Sequence, residues 1–387
     1  MMTLLSFLDS VCYVILFIFI IYLFIFSLFS LKKRRTSYPA AKANHRFIVL
    51  FPAYKEDAVI VHNTRNFLEQ NYPNDRYDVL VISDQMKDST VDELKKSDIK
   101  VLTVDFVEST KAAALNFAME NIEDEYDIVV IMDADNRVEP TFLQSLNNAY
   151  DFGIKAIQTR RIAKNKNTDI ALLDAASEAI NNSIFRQGHV NAGLSSALSG
   201  SGMAFDFKWF KQNIKNVHTA GEDKEIELLL LYDNIYIDYL DNVLVRDEKT
   251  QEAAAFSRQR RRWLFSQYET LKIGVKRLPQ ALINGNIDYC DKLFQWILLP
   301  RIIILGIIPP IILLCLFIEW QSAVKWIGLY FIFLVSLSLA LPDELYDKQL
   351  RKAIKKIPLL FVKMFLNFFK RKQKNEGFIH TLHGEEK

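Results

Sequence analysis

Cysteine is scarce in this chain of 387 residues. Its three cysteines, Cys12, Cys290 and Cys315, are too few and too scattered for a disulfide framework or a thiolate zinc site. Nothing therefore calls for an oxidising compartment. Net charge is nearly absent as well: 48 Lys and Arg stand against 46 Asp and Glu, leaving +2. No bulk basic field marks nucleic acid as a partner. There is no G-x-G-x-x-G opening a helix after the first strand and no G-x-x-x-x-G-K-[ST], so dinucleotide-binding and P-loop readings lose their main support. Half the residues are hydrophobic, which excludes a disordered chain.

The apolar residues are unevenly spread. Residues 11–31 carry no charge and suffice to cross a hydrocarbon core of about 30 Å as a helix. Lys32, Lys33, Arg34 and Arg35 follow at once, whereas a secretory signal would place its positive charge in front. This reads as a retained anchor with its C-terminal flank in the cytoplasm. Residues 293–318 form a second apolar stretch, interrupted by Pro300, Arg301, Pro309 and Pro310, and 323–341 form a third. Only four residues separate them, so a hairpin is expected. Lys and Arg crowd 348–374, which suits a cytoplasmic C-terminus after three crossings. The short apolar run 357–369 contains Lys363 and reads as an interfacial helix, with a fourth crossing as the alternative. The expected organisation is an anchor at 1–35, a cytoplasmic domain at 36–291, a transmembrane hairpin at 292–342 and a basic tail at 343–387.

Within the central region, β-rich runs at 47–51, 77–82, 101–104 and 127–132 alternate with helix-like stretches at 58–70, 90–96 and 110–121. Strand, helix, strand at this spacing argues an α/β fold, a mostly parallel sheet with helices on both faces. Ligands of such sheets bind outside the carboxyl ends of the strands. Three strands here run into acids: Glu56 and Asp57 after the first, Asp84 and Asp88 after the second, Asp133 and Asp135 after the fourth. Gathering carboxylates in one place is unfavourable without a cation. A divalent ion bridging to phosphate oxygens would resolve that, and hard oxygen ligands suit Mg2+ or Mn2+. A lone D-x-D is also an ordinary solvated turn.

Two later segments weigh against the ordinary turn. Gly221-Glu222-Asp223 opens an amphipathic helix running to about Tyr232, and Gln259-Arg260-Arg261-Arg262-Trp263 sits in a basic helix beginning near Gln251. In chain order with Asp84 and Asp133-Ala-Asp135, these resemble the family 2 glycosyltransferases, and more closely their membrane-embedded branch of cellulose, chitin and hyaluronan synthases. The resemblance implies a GT-A-like, Rossmann-type domain and an inverting transfer from a nucleotide-diphosphate sugar, with a UDP-sugar expected. The acceptor would be a glycan or a lipid-linked hydroxyl at the cytoplasmic face of a bacterial plasma membrane. The sequence departs from the family pattern at Gln85, where a second Asp is usual, and at Gly221, where Thr is usual.

What the resemblance implies for individual residues follows. Asp84, Lys111, Asp133, Gln259 and Arg262 bind the donor, Arg262 meeting its diphosphate. Asp135, assisted by Asp133, holds the metal. Asp223 is the base, with Glu222 beside it, and Trp263 stacks on the acceptor. Gln158 to Arg161 resembles a segment near the acceptor. Bland readings stand beside these: acids at a helix N-terminus complement its dipole, and a basic run near a membrane faces lipid or solvent. His380 and His383 read as part of a polar tail. Three functions stay open, a polymerising synthase, a single-addition transferase and a non-catalytic scaffold. Three spans are few for a polymer conduit, so a partner subunit or self-association would be needed for export.

Overall fold

A computed structural model describes residues 2–32, 37–219, 221–358 and 361–362. The basic residues 33–35, most of the expected interfacial helix 357–369, and His380 and His383 lie outside the described residues.

The sheet has eight strands: β1 Phe47–Tyr54, β2 Tyr77–Asp84, β3 Lys100–Val104, β4 Ile128–Ile131, β5 Arg137–Val138, β6 Ala156–Ala163, β7 Met203–Asp206 and β8 Ile237–Asp247. Their order across the sheet is β3-β2-β1-β4-β7-β6-β8-β5. Neighbours from β3 to β4 are parallel, with Phe47 opposite both Tyr77 and Ile128. β7 runs antiparallel to both β4 and β6, and β8 returns parallel to β6. The central strands read as continuous apolar runs because both of their faces are covered. Along β1, Ile48 and Leu50 pack under the Lys111–Asn121 helix. The alternate residues Phe47, Val49 and Phe51 pack under Ile60–Phe67 and Phe142–Asp151. Full burial of each such side chain is worth about 1.5–3 kcal/mol.

Among the described residues, three helices are long and apolar enough to cross a membrane: Ser6–Ser30 within Met2–Ser30, Arg301–Ile318, and Trp320–Ala340. Phe17, Leu313 and Phe331 point outward on them, while Ile20, Ile304, Trp326 and Phe333 close a shared core. The expected second span differs at its start. Residues 293–297 belong to a separate amphipathic helix, Ile287–Ile297, whose Tyr289, Leu293 and Trp296 are buried with the sheet's helices. The chain breaks at Leu298 to Pro300, and the apolar span begins at Arg301 rather than near 292. Proline has no N–H to continue a helix and disfavours helical backbone in the residue before it.

The first apolar helix is locked onto the α/β unit. Tyr22 donates to Asp291 (2.7 Å) and meets His189 Nε2 at 2.8 Å, while Phe26 stacks on the His189 ring with centroids 3.7 Å apart. Gly188 ends a seven-residue π-helical segment, Asn182–Gly188, and a Cβ there would collide with the Phe26 carbonyl oxygen. The missing side chain lets the two backbones touch.

Candidate active site

The carboxyl ends of β1, β2, β4 and β8 open onto one cavity of about 870 Å3. Asp84, Lys111, Asp133, Asp135, Glu222, Asp223, Gln259, Arg262 and Trp263 all line it. These residues span the chain from 84 to 263, and the topology of the sheet brings them together.

Asp133 and Asp135 sit on a tight turn closed by Asn136, whose side chain accepts from the Asp133 N–H (3.0 Å) and donates to Asp135 Oδ1 (3.0 Å). Asp135 is buried and also accepts from the Glu248 N–H at 2.7 Å. Asp84 is buried at the end of β2. Glu56, just beyond β1, is pushed up to about 8, first by burial and then by repulsion from Asp135, Asp133, Glu248 and Asp57. That repulsion marks a cluster in which the carboxylates outnumber the cations that meet them, Lys111 at Asp133 included. Glu248 also stands at this edge, at the end of a strand that the alternation of strand and helix in the sequence does not announce. Its signal is the β-branched run of β8 ending in Asp247-Glu248.

Cations hold the opposite wall. Lys111 begins its helix after the Thr110 cap, which accepts from the Ala113 N–H (3.1 Å). Its ammonium donates to Asp133 and to the Gly200 carbonyl, and lies 3.6 Å from Glu222. Burial works against the charge on Lys111, but Asp133 and Glu222 overcome it and raise its proton affinity. Arg262 is lowered by burial, against the pull of Glu222 and Asp133. Glu222 is pushed up to about 7, first by burial; Lys111 opposes this while Asp223 and Asp133 add to it. Its neighbour Asp223 is the more open of the pair and faces Gly200.

Glycines decide two close approaches. Gly200 lies at φ +82°, where a side chain would be strained, and its carbonyl meets Lys111. A Cβ on Gly221, the position where Thr was expected, would strike Ser266 of the Ala253–Val275 helix. Glycine there lets the basic helix lie against the Glu222–Tyr232 helix. The basic run divides its labour. Arg260 pairs with Asp174 at 2.6 Å and lies over the Trp263 ring, 4.8 Å from its centroid. Gln259 accepts from Thr250 (3.3 Å), and Trp263 is 37% exposed at the cavity. Gln158 and Arg161 shape the Ser199–Gly202 loop: Gln158 accepts from the Ser199 N–H (2.9 Å), and Arg161 bridges the Ser199 carbonyl to Asp247.

The cavity does not end at these charges. It continues between Leu23, Ile180, Leu298, Leu305, Leu337 and Leu341, drawn from all three apolar helices and their neighbours.

A mixed α/β sheet with an acidic, strand-end cleft facing two basic segments is a fold of the GT-A glycosyltransferase class. The sequence profile described as glycosyltransferase like family 2 matches residues 45–266, and the chain belongs to that family. It is an enzyme of the transferase class. It is 28% identical to a beta-monoglucosyldiacylglycerol synthase of Trichormus variabilis and 27% identical to one of Nostoc sp.. Each match spans 57% of this chain and 48% of the relative, so the chain spans about half the length of the curated relatives it matches. Among solved structures, a mannosyltransferase of Pyrobaculum calidifontis in complex with GDP-Man and Mn2+ superposes with a TM-score of 0.57 at 15% identity. That match covers 93% of this chain and 97% of the other.

Proposed function

We propose that the chain is an inverting glycosyltransferase that moves a sugar from a nucleotide-diphosphate sugar, a UDP-sugar by expectation, to a hydroxyl of a lipid acceptor held in the membrane. The observation that carries this reading is the single cavity running from Asp133, Asp135 and Asp223 to a wall of apolar helices long enough to span a bilayer. The names of the curated relatives, synthases of a glycosyl diacylglycerol, agree with such an acceptor.

The donor set is all carboxylate, and its mutual repulsion fits a hard divalent cation. Among the described residues no three His, Cys, Asp or Glu side chains converge as ligands. Asp135 and Asp133 would therefore hold Mg2+ or Mn2+ together with diphosphate oxygens and water; when bound, the ion supplies positive charge against the departing diphosphate. Arg262 and Lys111 add cationic side chains on the same side, and Asp84 contacts the nucleotide. Asp223 takes the proton of the acceptor hydroxyl, whose oxygen attacks the anomeric carbon as the bond to the diphosphate breaks. Glu222, held by Lys111, fixes the start of the helix that presents Asp223. Trp263 stacks on the incoming acceptor. Direct displacement turns an α-linked donor into a β-linked product. The α/β unit lies on the cytoplasmic side in this reading.

Purified full-length protein incubated with a panel of radiolabelled nucleotide sugars and lipid acceptors tests this. Label should enter an organic-soluble, β-linked product, vanish in EDTA and return with Mg2+ or Mn2+. Absence of transfer from every donor overturns the reading, and full turnover after verified metal removal overturns the role of Asp135. Polymer synthesis is the second reading, favoured by the complete Gln259-Arg260-Arg261-Arg262-Trp263 series. Product length separates the two.

A further inference from the structure

We propose that the cavity holds a second anion site, centred on Arg301, for the phosphate of a membrane lipid that serves as acceptor. The proposal rests on the lipid-acceptor reading and makes it more specific: the acceptor lipid carries a phosphate besides the hydroxyl that receives the sugar.

Arg301 is the first residue of the Arg301–Ile318 helix, which no side chain caps. It lines the same cavity as the candidate active site. One guanidinium nitrogen, Nη2, donates to the Ser177 carbonyl (3.2 Å), Ser177 Oγ (3.3 Å) and Asn181 Oδ1 (2.7 Å). The other, Nη1, is buried and has no hydrogen-bond partner. None of the ion pairs found among the described residues includes Arg301. Its charged surroundings are Arg260, Glu178 and Arg186. Both of those arginines are already committed, Arg186 to Glu178 at 2.9 Å and Arg260 to Asp174 at 2.6 Å. Nε of Arg260 is buried without a partner too. Three guanidiniums thus share two carboxylates, and the positive end of an 18-residue helix points the same way.

A buried cation without a counter-charge of its own is expensive, and among the described residues the carboxylate that acts on Arg301, Glu178, is already paired with Arg186. An anion bound beside Arg301 would offset the excess positive charge of Arg301, Arg260 and Arg186, and helix N-termini with arginines suit phosphate oxygens. What lies beside this pocket decides the kind of anion. Ile302, Leu305, Leu334 and Leu337 line the adjoining wall. They accept a hydrocarbon tail, which neither inorganic phosphate nor the sugar nucleotide has. The donor carboxylates at Asp133 and Asp135 repel an anion unless a cation is bound, so this site and the donor site are separate in charge as well as position.

The test uses farnesyl phosphate and farnesol, which share a tail and differ in the phosphate. Their binding to detergent-purified full chain is measured by calorimetry, so no turnover is needed. Farnesyl phosphate should bind at least about tenfold tighter, as a charge-assisted pair predicts. Arg301→Gln should erase that preference, and Arg301→Lys should restore part of it. Equal binding of the two probes by the wild type overturns the proposal whether or not the variants fold, and so does a preference that survives Arg301→Gln in folded protein. Two competitors identify the source of the phosphate. Displacement of farnesyl phosphate by millimolar inorganic phosphate would overturn the acceptor assignment; displacement by excess phosphatidylglycerol, which carries both phosphate and hydroxyl, supports it, and so does resistance to inorganic phosphate. A retained phosphate preference with no sugar transferred to any lipid would defeat the proposed function and leave this site standing.

Discussion

At Asp223 the proposed chemistry depends on one proton. Asp223→Asn keeps the shape of the side chain and removes its basicity. Turnover should fall by at least about 10²-fold, with donor affinity near that of the wild type. Single-turnover kinetics beside a nucleotide-binding titration check this; lost binding with intact chemistry would move Asp223 to the donor. Glu56 gives the pH dependence. Its carboxyl is pushed up from 4.5 to about 8, so it holds its proton more tightly folded than unfolded. Its contribution to stability is complete below 4.5 and is lost as pH rises through 8. The melting temperature of metal-free protein should therefore fall between about pH 5 and about pH 9, and Glu56→Gln should flatten the fall. A melting temperature that climbs over that window contradicts the cluster. Much of this site is legible in the sequence, because acids after apolar strands share one sheet edge by topology. Asp84, Asp133 and Asp135 were found that way. Glu248 was not, for want of the β8 reading, and nothing local announces that Arg186, Arg260 and Arg301 meet, since they come from three separated segments.

The elements that hold the site carry their own tests. The Glu222–Tyr232 helix is joined to Ile287–Ile297 by an ion pair, Glu227 to Lys292 at 2.8 Å, with both side chains at most 2% exposed. Glu227 also accepts from the Leu198 N–H (3.3 Å), and Lys292 donates to Gln295 (3.1 Å). Glu227→Gln strands a buried ammonium and should cost about 3–5 kcal/mol in denaturant unfolding. Replacing the pair by Leu and Met should recover most of that loss; a double variant as unstable as the single one would show that the pair does more than balance charge. This junction also explains a misread boundary. Residues 293–298 are apolar apart from Gln295, and periodicity over so short a run does not separate a helix buried in protein from one in lipid. The parallel strands β1 to β4 are evident from their apolar runs and spacing. The antiparallel insertion of β7 beside β4 is not, because Met203–Asp206 is only four residues long.

At the scale of the molecule, the described residues join three apolar helices, an α/β unit and one continuous cavity into a single arrangement. The hairpin turn between the second and third spans should face away from the α/β unit. In cells whose native cysteines have been replaced, a cysteine at Gln321 should react with an impermeant reagent, and one at Asn74 should need permeabilisation. The reverse pattern would invert the topology. The central claim is that sugar is transferred to a lipid in that cavity, a few residues at most, because three spans enclose little beyond side chains. Its most direct measurement is reconstitution of the full chain alone in sealed vesicles, with the α/β unit and a radiolabelled nucleotide sugar on the outside, followed by sizing of the product. Label confined to a short, organic-soluble glycolipid, and abolished by Asp223→Asn, is the predicted result. Long water-soluble chains accumulating in the vesicle lumen, with the lipids unlabelled, would contradict it.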